Sequence, residues 1–439
     1  MGELPMTALV FHHDIAHLPN ASKDVLPVRL YGLKADGRND VFSIGNPIVD
    51  KIRRLRVSIY PQVIDFLSIA LAVTAADTFV LRSNTPDGWT RNFKIQLPLY
   101  SPPVWRALKL ELEAALHFLS GDIWDFTFTD NGFPPPNPYP EESRANCINL
   151  DGLDCVSLFS GGLDSAIGAI DLLANGCSPL FVSHAYKGDK SRQDLVANSL
   201  DGKFSRFSIN ASPRNVGNGS DITMRTRSLN FLAAGAIAAC ALNIKNKSNT
   251  TALYVPENGF ISLNAPLTNR RIGSLSTRTT HPHFIAAIQT IFDKASIPCK
   301  ILNPYQFVTK GEMVAQCRGR EILKKVVNNT VSCSHWKRKR MQCGVCVPCI
   351  IRKASLKRGG ILETVDYTTN VISEIPLGDD LRDDIQALSI AIAQKNSRDL
   401  TRWISESGPL QNSELGNFLG LFSRGLDEVE DYLKSQRIL

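Results

Sequence analysis

The chain has 439 residues, enough for two or three domains of roughly 100–200 residues each. Hydrophobic residues make up 43% of it and charged residues 21%, while 29 Gly and 24 Pro are near average usage, which excludes the collagen-like and wholly disordered classes. The 49 Lys and Arg outnumber the 42 Asp and Glu, giving a formal charge of +7 that favours anionic ligands without indicating nucleic-acid binding.

Cellular location is predicted from the first residues and from the apolar runs. The opening MGELPMTALVFHHD has no basic start before an apolar run, so we predict no signal peptide. The longest uncharged apolar stretch, Ser228–Ile244, is shorter than the roughly 20 residues that a spanning helix needs. We therefore expect a cytoplasmic protein without a membrane partner, whose ten cysteines stay reduced.

Residues 1–132 combine strand and helix patterns. Phe93–Leu97 and Trp124–Phe128 alternate apolar and polar residues and predict strands. Trp105–Leu119 and Val63–Val80 predict helices. We predict an N-terminal α+β domain, followed by a stiff Pro-rich linker at 133–150.

Residues 151–330 alternate between strand and helix patterns, which predicts an α/β domain with a parallel sheet covered on both faces. The predicted strands are Cys155–Phe159, Leu180–His184, Phe204–Ile209, Ala252–Val255 and Lys300–Leu302. The predicted helices lie at 165–175, 190–200, 226–244 and 282–294, with another after Thr309. Residues 361–439 are predicted to be all helix, for example at Leu381–Lys395 and Ser413–Leu433, and no internal repeat is evident.

A Gly-rich loop follows the first strand of this α/β domain. It reads Phe159-Ser160-Gly161-Gly162-Leu163-Asp164-Ser165. The two glycines let the backbone turn and approach a ligand, and the start of the next helix points amide donors at an anion. Asp164 would hold a magnesium ion or organise the loop, and the lysine of a Walker loop is absent. The loop predicts a phosphate site of another kind, the alternative being an ordinary capped helix.

Four of the cysteines lie close together, in residues 331–360. They are Cys333, Cys343, Cys346 and Cys349. Four thiolates suit a closed, tetrahedral and structural zinc site, and the basic run at 337–340 would offset its negative charge. An iron–sulfur cluster and unligated cysteines are the alternatives. The basic run is more typical of a solvated face than of a nucleic-acid site.

These motifs together resemble a known enzyme family. The SGGLDS loop resembles the signature of the PP-loop ATP pyrophosphatases. With the cysteine cluster, the chain over about 154–358 resembles the QueC family, the 7-cyano-7-deazaguanine synthases. Thr309–Val314 looks like that family's T-K-x-E-[IM]-V helix start, Ser332–Arg352 is similar to its S-C…C-G-x-C-x-x-C-x-x-R ending, and Arg227–Leu232 is similar to R-N-x-x-F-L with Ser228 in place of Asn.

The chain also departs from the simple family pattern. His184-Ala185-Tyr186 stands where family members have an Asp-Tyr-Gly-Gln-like run, and the stretches 256–259 and 278–283 differ from the usual substrate loop. About 130 residues precede the resembling part and about 80 follow it. This enlarged form resembles the QueC-like proteins of bacterial antiphage systems, the QatC type.

The resemblance implies an ATP-dependent ligase with Mg²⁺ and Zn²⁺ as metals. ATP would activate the carboxylate of 7-carboxy-7-deazaguanine, with pyrophosphate held by the loop 159–165. Other candidates follow strand ends or lie in long loops, where parallel sheets bind ligands. We predict catalytic roles for Asp164, Lys310 and Arg227, and substrate contacts for Glu257, Asn258, Arg278, His281 and His283. The alternatives are surface charge for the cations, loop packing for the histidines, and a helix-start role for Glu312.

Three functions stay open at this point. The chain makes the nitrile or amide of a deazaguanine with ammonia; it joins the acyl group to an amine of a partner protein encoded in the same operon; or it is a non-catalytic nucleotide-binding scaffold. The intact SGGLDS loop argues against the scaffold. A tRNA thiolase is weaker, since it needs a reactive cysteine pair. We favour the partner protein, because ammonia needs only a narrow channel whereas a protein docks on roughly 800 Å² of surface.

Overall fold

The computed structural model describes residues 6–32, 38–184, 189–216, 219, 221, 225–268, 278–336, 340–372, 375 and 382–439. Ala185, Tyr186 and the basic residues 337–339 lie outside these ranges. Within them, ten strands form two five-stranded sheets.

The first sheet is parallel throughout. Its strands are β1 (Met6–His12), β2 (Val25–Leu30), β3 (Phe42–Ile44), β4 (Asn92–Pro98) and β5 (Ile123–Thr129), in the order β3-β2-β1-β4-β5. All neighbours pair in parallel, so the α/β arrangement replaces the predicted α+β one, because parallel neighbours are joined by crossovers and not by hairpins. The last two strands were predicted from the sequence and are confirmed; the first three were not predicted.

Four helices accompany the first sheet. They are α1 (Ile48–Arg53), α2 (Pro61–Phe79), α3 (Pro102–Ala107) and α4 (Lys109–Ser120). The first pair connects β3 to β4, and the second pair connects β4 to β5. The helix predicted over 105–119 is divided at Leu108, which ends α3 and precedes α4.

The second sheet confirms the predicted α/β domain. Its strands are β6 (Cys155–Leu158), β7 (Pro179–Ser183), β8 (Ser205–Ser208), β9 (Thr251–Tyr254) and β10 (Cys299–Leu302), in the order β10-β9-β6-β7-β8 and parallel throughout. Its helices are α5 (Leu163–Ala174), α6 (Asp189–Ala197), α7 (Arg227–Asn246), α8 (Gly259–Leu263), α9 (Pro282–Lys294), α10 (Lys310–Gln316) and α11 (Arg320–Val326).

The two sheets share one strand order. Counted from the first strand of each, both run 3-2-1-4-5. In such a sheet the connections reverse direction beside the first strand, and the crevice at the carboxyl ends of the strands opens at that point. The chain therefore contains two potential crevices, although the sequence shows no repeat.

Helices α2 and α7 join the two sheets. Helix α2 packs on the first sheet, α7 packs on the second, and the two helices pack against each other, so one apolar core runs through four layers. By length and composition both could cross a membrane, but 94% and 78% of their most apolar windows are buried inside the protein. Such burial is what core helices show.

The C-terminal region is mostly helical, as predicted. Its helices are α12 (Val347–Gly359), α13 (Asp383–Gln394), α14 (Leu400–Ser405) and α15 (Leu415–Ser435), which pack around buried Trp403, Phe418 and Phe422. The all-helix prediction is corrected at 361–372. There the chain runs alongside the cysteine segment and pairs with it through a β-bridge between Tyr367 and Gln342. Its backbone hydrogen bonds therefore go to another segment and do not form a helix.

The Pro-rich segment at 133–150 contains no helix or strand, as expected. It is nevertheless held against α1. The Tyr139 N–H donates to the Arg53 carbonyl at 3.0 Å, its hydroxyl donates to Asp50 at 2.7 Å, and the Ile148 N–H donates to the Arg54 carbonyl at 2.9 Å. The segment is packed against the first sheet's helices and is not a free spacer, while the domain boundaries stay a prediction.

Candidate active site

The Gly-rich loop connects β6 to α5 at the carboxyl end of the second sheet. Gly161 has a φ of +84°, a left-handed conformation that favours glycine. The Ser160 hydroxyl donates to the Ser165 oxygen at 3.1 Å and accepts the Gly162 N–H at 3.3 Å. The first amides of α5 have no partner within the helix and carry its positive dipole end, so the loop is suited to an anion.

Not every residue of the predicted loop faces a ligand. The side chains of Phe159 and Leu163 are both 1% exposed and belong to the apolar core under the loop. The Phe159 ring packs on Phe181, with 5.0 Å between centroids. These two side chains anchor the loop, while the serines and glycines form its open surface.

Asp164 lies in a buried polar cluster behind the loop. Its carboxylate is 3.0 Å from the Lys310 ammonium and accepts from the Asn258 N–H at 3.1 Å and from the Asn258 side-chain amide at 2.7 Å. Burial opposes ionisation of Asp164, but Lys310 and hydrogen bonds from Glu257 and Asn258 lower its pKa to about 2. Asp164, Lys310 and Asn258 are thus brought together in a buried cluster behind the loop. Asn258, predicted as a substrate contact, is fully buried against Asp164 and does not line the cavity, while the catalytic roles of Asp164 and Lys310 stay a prediction.

Glu257 extends this cluster into the adjacent cavity. Its carboxyl accepts from the Asn258 amide at 3.2 Å and lies beside Asp164. Burial, and then the negative charge of Asp164, raise the pKa of Glu257 well above its usual range. The two neighbouring carboxyls thus compete for the positive charge of Lys310.

A cavity of about 520 Å³ opens in front of the loop. Its floor is where β6 and β9 end, at Leu158 and Val255, which is the point where the strand order of the second sheet reverses. The loop, Glu257, the first turn of α7 and the residues just before the cysteines form its walls. Crevices at this position are where parallel sheets bind ligands.

Arg227 stands on the α7 wall of the cavity. Its guanidinium contacts the His184 ring and is 3.5 Å from the Asp189 carboxylate, which is itself 3.3 Å from the His184 Nε2. The Phe231 ring packs against both, 4.5 Å from the His184 ring and 5.3 Å from the guanidinium carbon. His184, noted in the sequence only as a departure, is therefore part of the wall, and Asp189 was not predicted.

Three predicted substrate residues lie elsewhere. Arg278, His281 and His283 pack around Phe118 of α4: Arg278 donates to the Phe118 carbonyl at 3.0 Å, and both imidazoles contact the Phe118 ring edge-on. Burial, then the charges of Arg278 and His283, lower the pKa of His281 to about 3. The structure thus places His281 in the packing between α4 and α9, with Arg278 half-buried and His283 at its exposed edge, which is the packing alternative noted for the histidines. Thr279 and Thr280, between them in the chain, line the cavity.

The four cysteines form a compact cluster. Their sulfurs all lie within 4.8 Å of one another, and the pairs Cys343–Cys349 and Cys333–Cys346 are 3.9 Å apart. A tetrahedral zinc site with bonds of about 2.3 Å needs sulfurs about 3.8 Å apart, so the cluster fits zinc. Backbone N–H groups donate to the sulfurs of Cys333 and Cys343, which orients them and offsets negative charge.

The cysteine segment also supports the Gly-rich loop. Cys333 lines the cavity, and the nearby Val331 N–H donates to the Gly161 carbonyl at 3.2 Å. Arg352, which is fully buried on α12, pairs with Glu363 at 2.6 Å and donates to Thr330 at 2.8 Å. The sequence contained Arg352 within a motif but gave it no role; the structure shows it fixing the chain beside Val331.

One family model matches part of the chain. Residues 279–360 match QueC, described as queuosine biosynthesis protein QueC. The matched part contains Lys310, Arg352 and the four cysteines, whereas the Gly-rich loop precedes it. The chain matches none of the curated proteins with which it was compared.

Proposed function

We propose that this protein uses ATP to activate a carboxylate, releases pyrophosphate, and transfers the acyl group to an amine. One observation carries the proposal: the Ser160–Ser165 loop opens onto a cavity that is also lined by residues of the part of the chain that is similar to QueC. Neither the loop nor the match alone specifies this chemistry, but together they combine an ATP pyrophosphatase signature with a synthase of the deazaguanine type.

The reaction has two displacement steps. A carboxylate oxygen attacks the α-phosphorus of ATP, the bond to the bridging oxygen breaks, and pyrophosphate leaves an acyl-adenylate. An amine nitrogen then attacks the acyl carbon, loses a proton, and displaces AMP. The protein supplies position, electrostatic stabilisation and exclusion of water, so no covalent nucleophile is required.

The cavity residues divide this work. The loop amides and the Ser160 and Ser165 hydroxyls stabilise the leaving pyrophosphate. Arg227 supplies positive charge for the acyl carboxylate or a phosphate. Magnesium would spread the charge of the phosphates, and Glu257 is the carboxyl beside the loop that would hold it, exchanging its proton for the metal.

We propose 7-carboxy-7-deazaguanine, or a close analogue, as the carboxylate and an amine of a partner protein as the acceptor, within a cytoplasmic antiphage system of the QatC type. Support comes from the departures around His184 and Glu257, both of which are at the cavity, and from the regions on either side of the matched segment. A small amine such as ammonia does not require an altered wall at these positions.

The activation step is tested by following AMP and pyrophosphate from Mg–ATP and 7-carboxy-7-deazaguanine. Ser160→Ala should lower pyrophosphate release by roughly 100-fold, because one preorganised donor is lost, with an unchanged melting temperature. Asp14→Ala, at the corresponding position after the first strand of the other sheet, should have no effect. Normal turnover by folded Ser160→Ala would refute the assigned loop.

The acceptor is tested by adding ammonia or the protein encoded by the adjacent gene, followed by intact-mass analysis. A partner whose mass increases by the deazaguanine acyl group supports conjugation. An unmodified partner together with free nitrile or amide from ammonia would establish the ordinary synthase instead. ATP binding without any turnover in either mixture would leave the nucleotide-binding scaffold as the function.

A further inference from the structure

A buried ionic network connects the first sheet and its helices α1–α4, here called the first sheet's unit, to the chain just before α7. It consists of three carboxylates and three guanidiniums: Asp77, Asp122, Asp221, Arg82, Arg91 and Arg225. None of these side chains is more than 9% exposed. Equal numbers of opposite charges make such burial tolerable, and removal of one member leaves its partner uncompensated.

Asp77 is the member of the network that reaches α7. One carboxylate oxygen of Asp77, Oδ1, accepts a hydrogen bond from the Arg91 guanidinium at 2.5 Å. The other oxygen, Oδ2, accepts from the Thr226 N–H at 3.1 Å and from the Thr226 hydroxyl at 2.9 Å. Thr226 immediately precedes α7, so a carboxylate of α2 caps the helix whose first turn carries Arg227.

The first turn of α7 is a wall of the cavity. Arg227, Ser228, Phe231 and Leu232 all line it. The position of the Arg227 guanidinium therefore depends on where α7 begins, and that point is held by Asp77 from the other sheet's unit. A displacement of about 1 Å at such a point is enough to weaken ligand binding considerably.

We propose that Asp77 is a positioning residue for the reaction, acting through Arg227. The inference rests on the proposed function, which supplies the two ligands, Mg–ATP and the carboxylate substrate. It gives the first sheet's unit a role in the active site, because that unit holds one of the cavity walls in place. Asp77 does not touch the cavity, so its effect is on the binding of the ligand that Arg227 contacts.

Helix α2 provides a matched control. Asp65 is as deeply buried as Asp77, each being 1% exposed, and its carboxylate accepts from the N–H groups of Tyr100 and Ser101 at 2.7 Å and 2.8 Å. All of its partners belong to the first sheet's unit. Asp65→Asn therefore disturbs the same helix without reaching α7.

The experiment measures dissociation constants of the full-length protein for Mg–ATP and for 7-carboxy-7-deazaguanine separately. Arg227→Ala identifies which of the two ligands depends on Arg227. Asp77→Asn should weaken that same ligand by about five-fold and leave the other within two-fold, as expected for coupling through one contact. Asp65→Asn should leave both within two-fold.

Two results would overturn the inference: Asp77→Asn that binds both ligands as the wild type does, or Asp65→Asn that weakens the same ligand equally. If Asp77→Asn does not fold, Thr226→Val removes only the hydroxyl donor, and about a three-fold weakening of that ligand is expected; binding within two-fold of the wild type counts against the inference. A wild-type protein that binds neither ligand would overturn the proposed function itself, and the inference with it.

Discussion

The two sheets have the same strand order and differ in what occupies the crevice beside the first strand. In the second sheet a Gly-rich loop turns sharply after β6 and leaves a cavity of about 520 Å³. In the first sheet β1 ends at His12, and the ring of the next residue, His13, lies 5.7 Å from the Phe133 ring. Topology creates a crevice in both, but the chain itself fills one of them.

The filling of the first crevice is local and specific. Gly132 lies so close to the end of β4 that its N–H donates to the Leu99 carbonyl at 3.1 Å, and a Cβ there would come within 2.1 Å of the Leu99 backbone. The next residue, Phe133, packs on the Tyr31 ring at 4.5 Å. The difference between the sheets indicates that a ligand cavity depends on the loop at the switch point and not on the strand order alone.

The largest expected effect concerns the cysteine cluster, which supports only the second crevice. We expect one zinc per chain, and Cys346→Ser should abolish its binding and unfold the segment around it, because zinc binding of this kind contributes on the order of 10 kcal/mol to folding. Elemental analysis and thermal unfolding measure both, with Cys147→Ser, outside the cluster, as the control. If the wild type contains iron and absorbs visible light, the cluster is assigned as an iron–sulfur site and the zinc assignment is wrong.

The next effect concerns the buried pair behind the Gly-rich loop. Asp164→Ala removes the carboxylate 3.0 Å from the Lys310 ammonium and the acceptor of two Asn258 hydrogen bonds. With Glu257 left as the remaining nearby carboxyl, the loss should be about 3 kcal/mol of unfolding free energy. The double variant Asp164→Asn/Lys310→Met should recover much of that stability without recovering pyrophosphate release. Denaturant unfolding of both proteins tests this, and wild-type stability of Asp164→Ala would show that the pair is not buried as described.

A smaller effect is expected from pH at the contact between the two units. His281 accepts the His283 N–H at 3.2 Å, and its pKa falls from 6.5 to about 3 on folding, chiefly through burial. A lowered histidine pKa means that the unfolded chain binds the proton first, so stability is lost as the pH falls below 6.5, by about 2 kcal/mol at pH 5.

This pH dependence is measured against His281→Asn, which keeps a helix-capping side chain and does not titrate. Its stability should fall less than that of the wild type between pH 7 and pH 5. His17→Asn, at an exposed histidine of the first unit, should behave as the wild type does. Parallel pH profiles for His281→Asn and the wild type would contradict the assignment.

The smallest effect concerns the filled crevice. Phe133→Ala should cost about 1–2 kcal/mol, less than a fully buried Phe, because this side chain is only half-buried. ATP binding should stay at one site per chain, since residues 13–24, which follow β1, contain no glycine and thus no counterpart of the Ser160–Ser165 loop. A second ATP site in this variant, counted by calorimetry, would break the comparison between the sheets.

Much of the second sheet was predictable because its signals are local. Strand and helix patterns alternate along this part of the chain. The loop from Ser160 to Ser165 combines two glycines, two serines and an aspartate between a strand and a helix, which is typical of an anion-binding turn, and the cysteine spacing fits one small cluster. Strand β3 was not predictable, since it has only three residues and a pattern of that length is ambiguous. Strands β1 and β2, with seven and six residues, were not predicted, and the position of β1 in the sheet depends on its pairing with β4, which is distant in the chain.

The sequence by itself located the Gly-rich loop and the cysteine cluster and predicted a chemistry for them, because each is a local set of residues whose types and spacing carry the signal. Only the tertiary structure decided that Arg227 faces the cavity while Arg278, His281 and His283 pack around Phe118. It also decided that Asp77 caps α7 from the other unit. The physical reason is that a charged side chain takes its role from partners distant in the chain, 43 residues away for Arg227 and His184 and 149 for Asp77 and Thr226. Burial and pairing with such partners leave no trace in the local sequence.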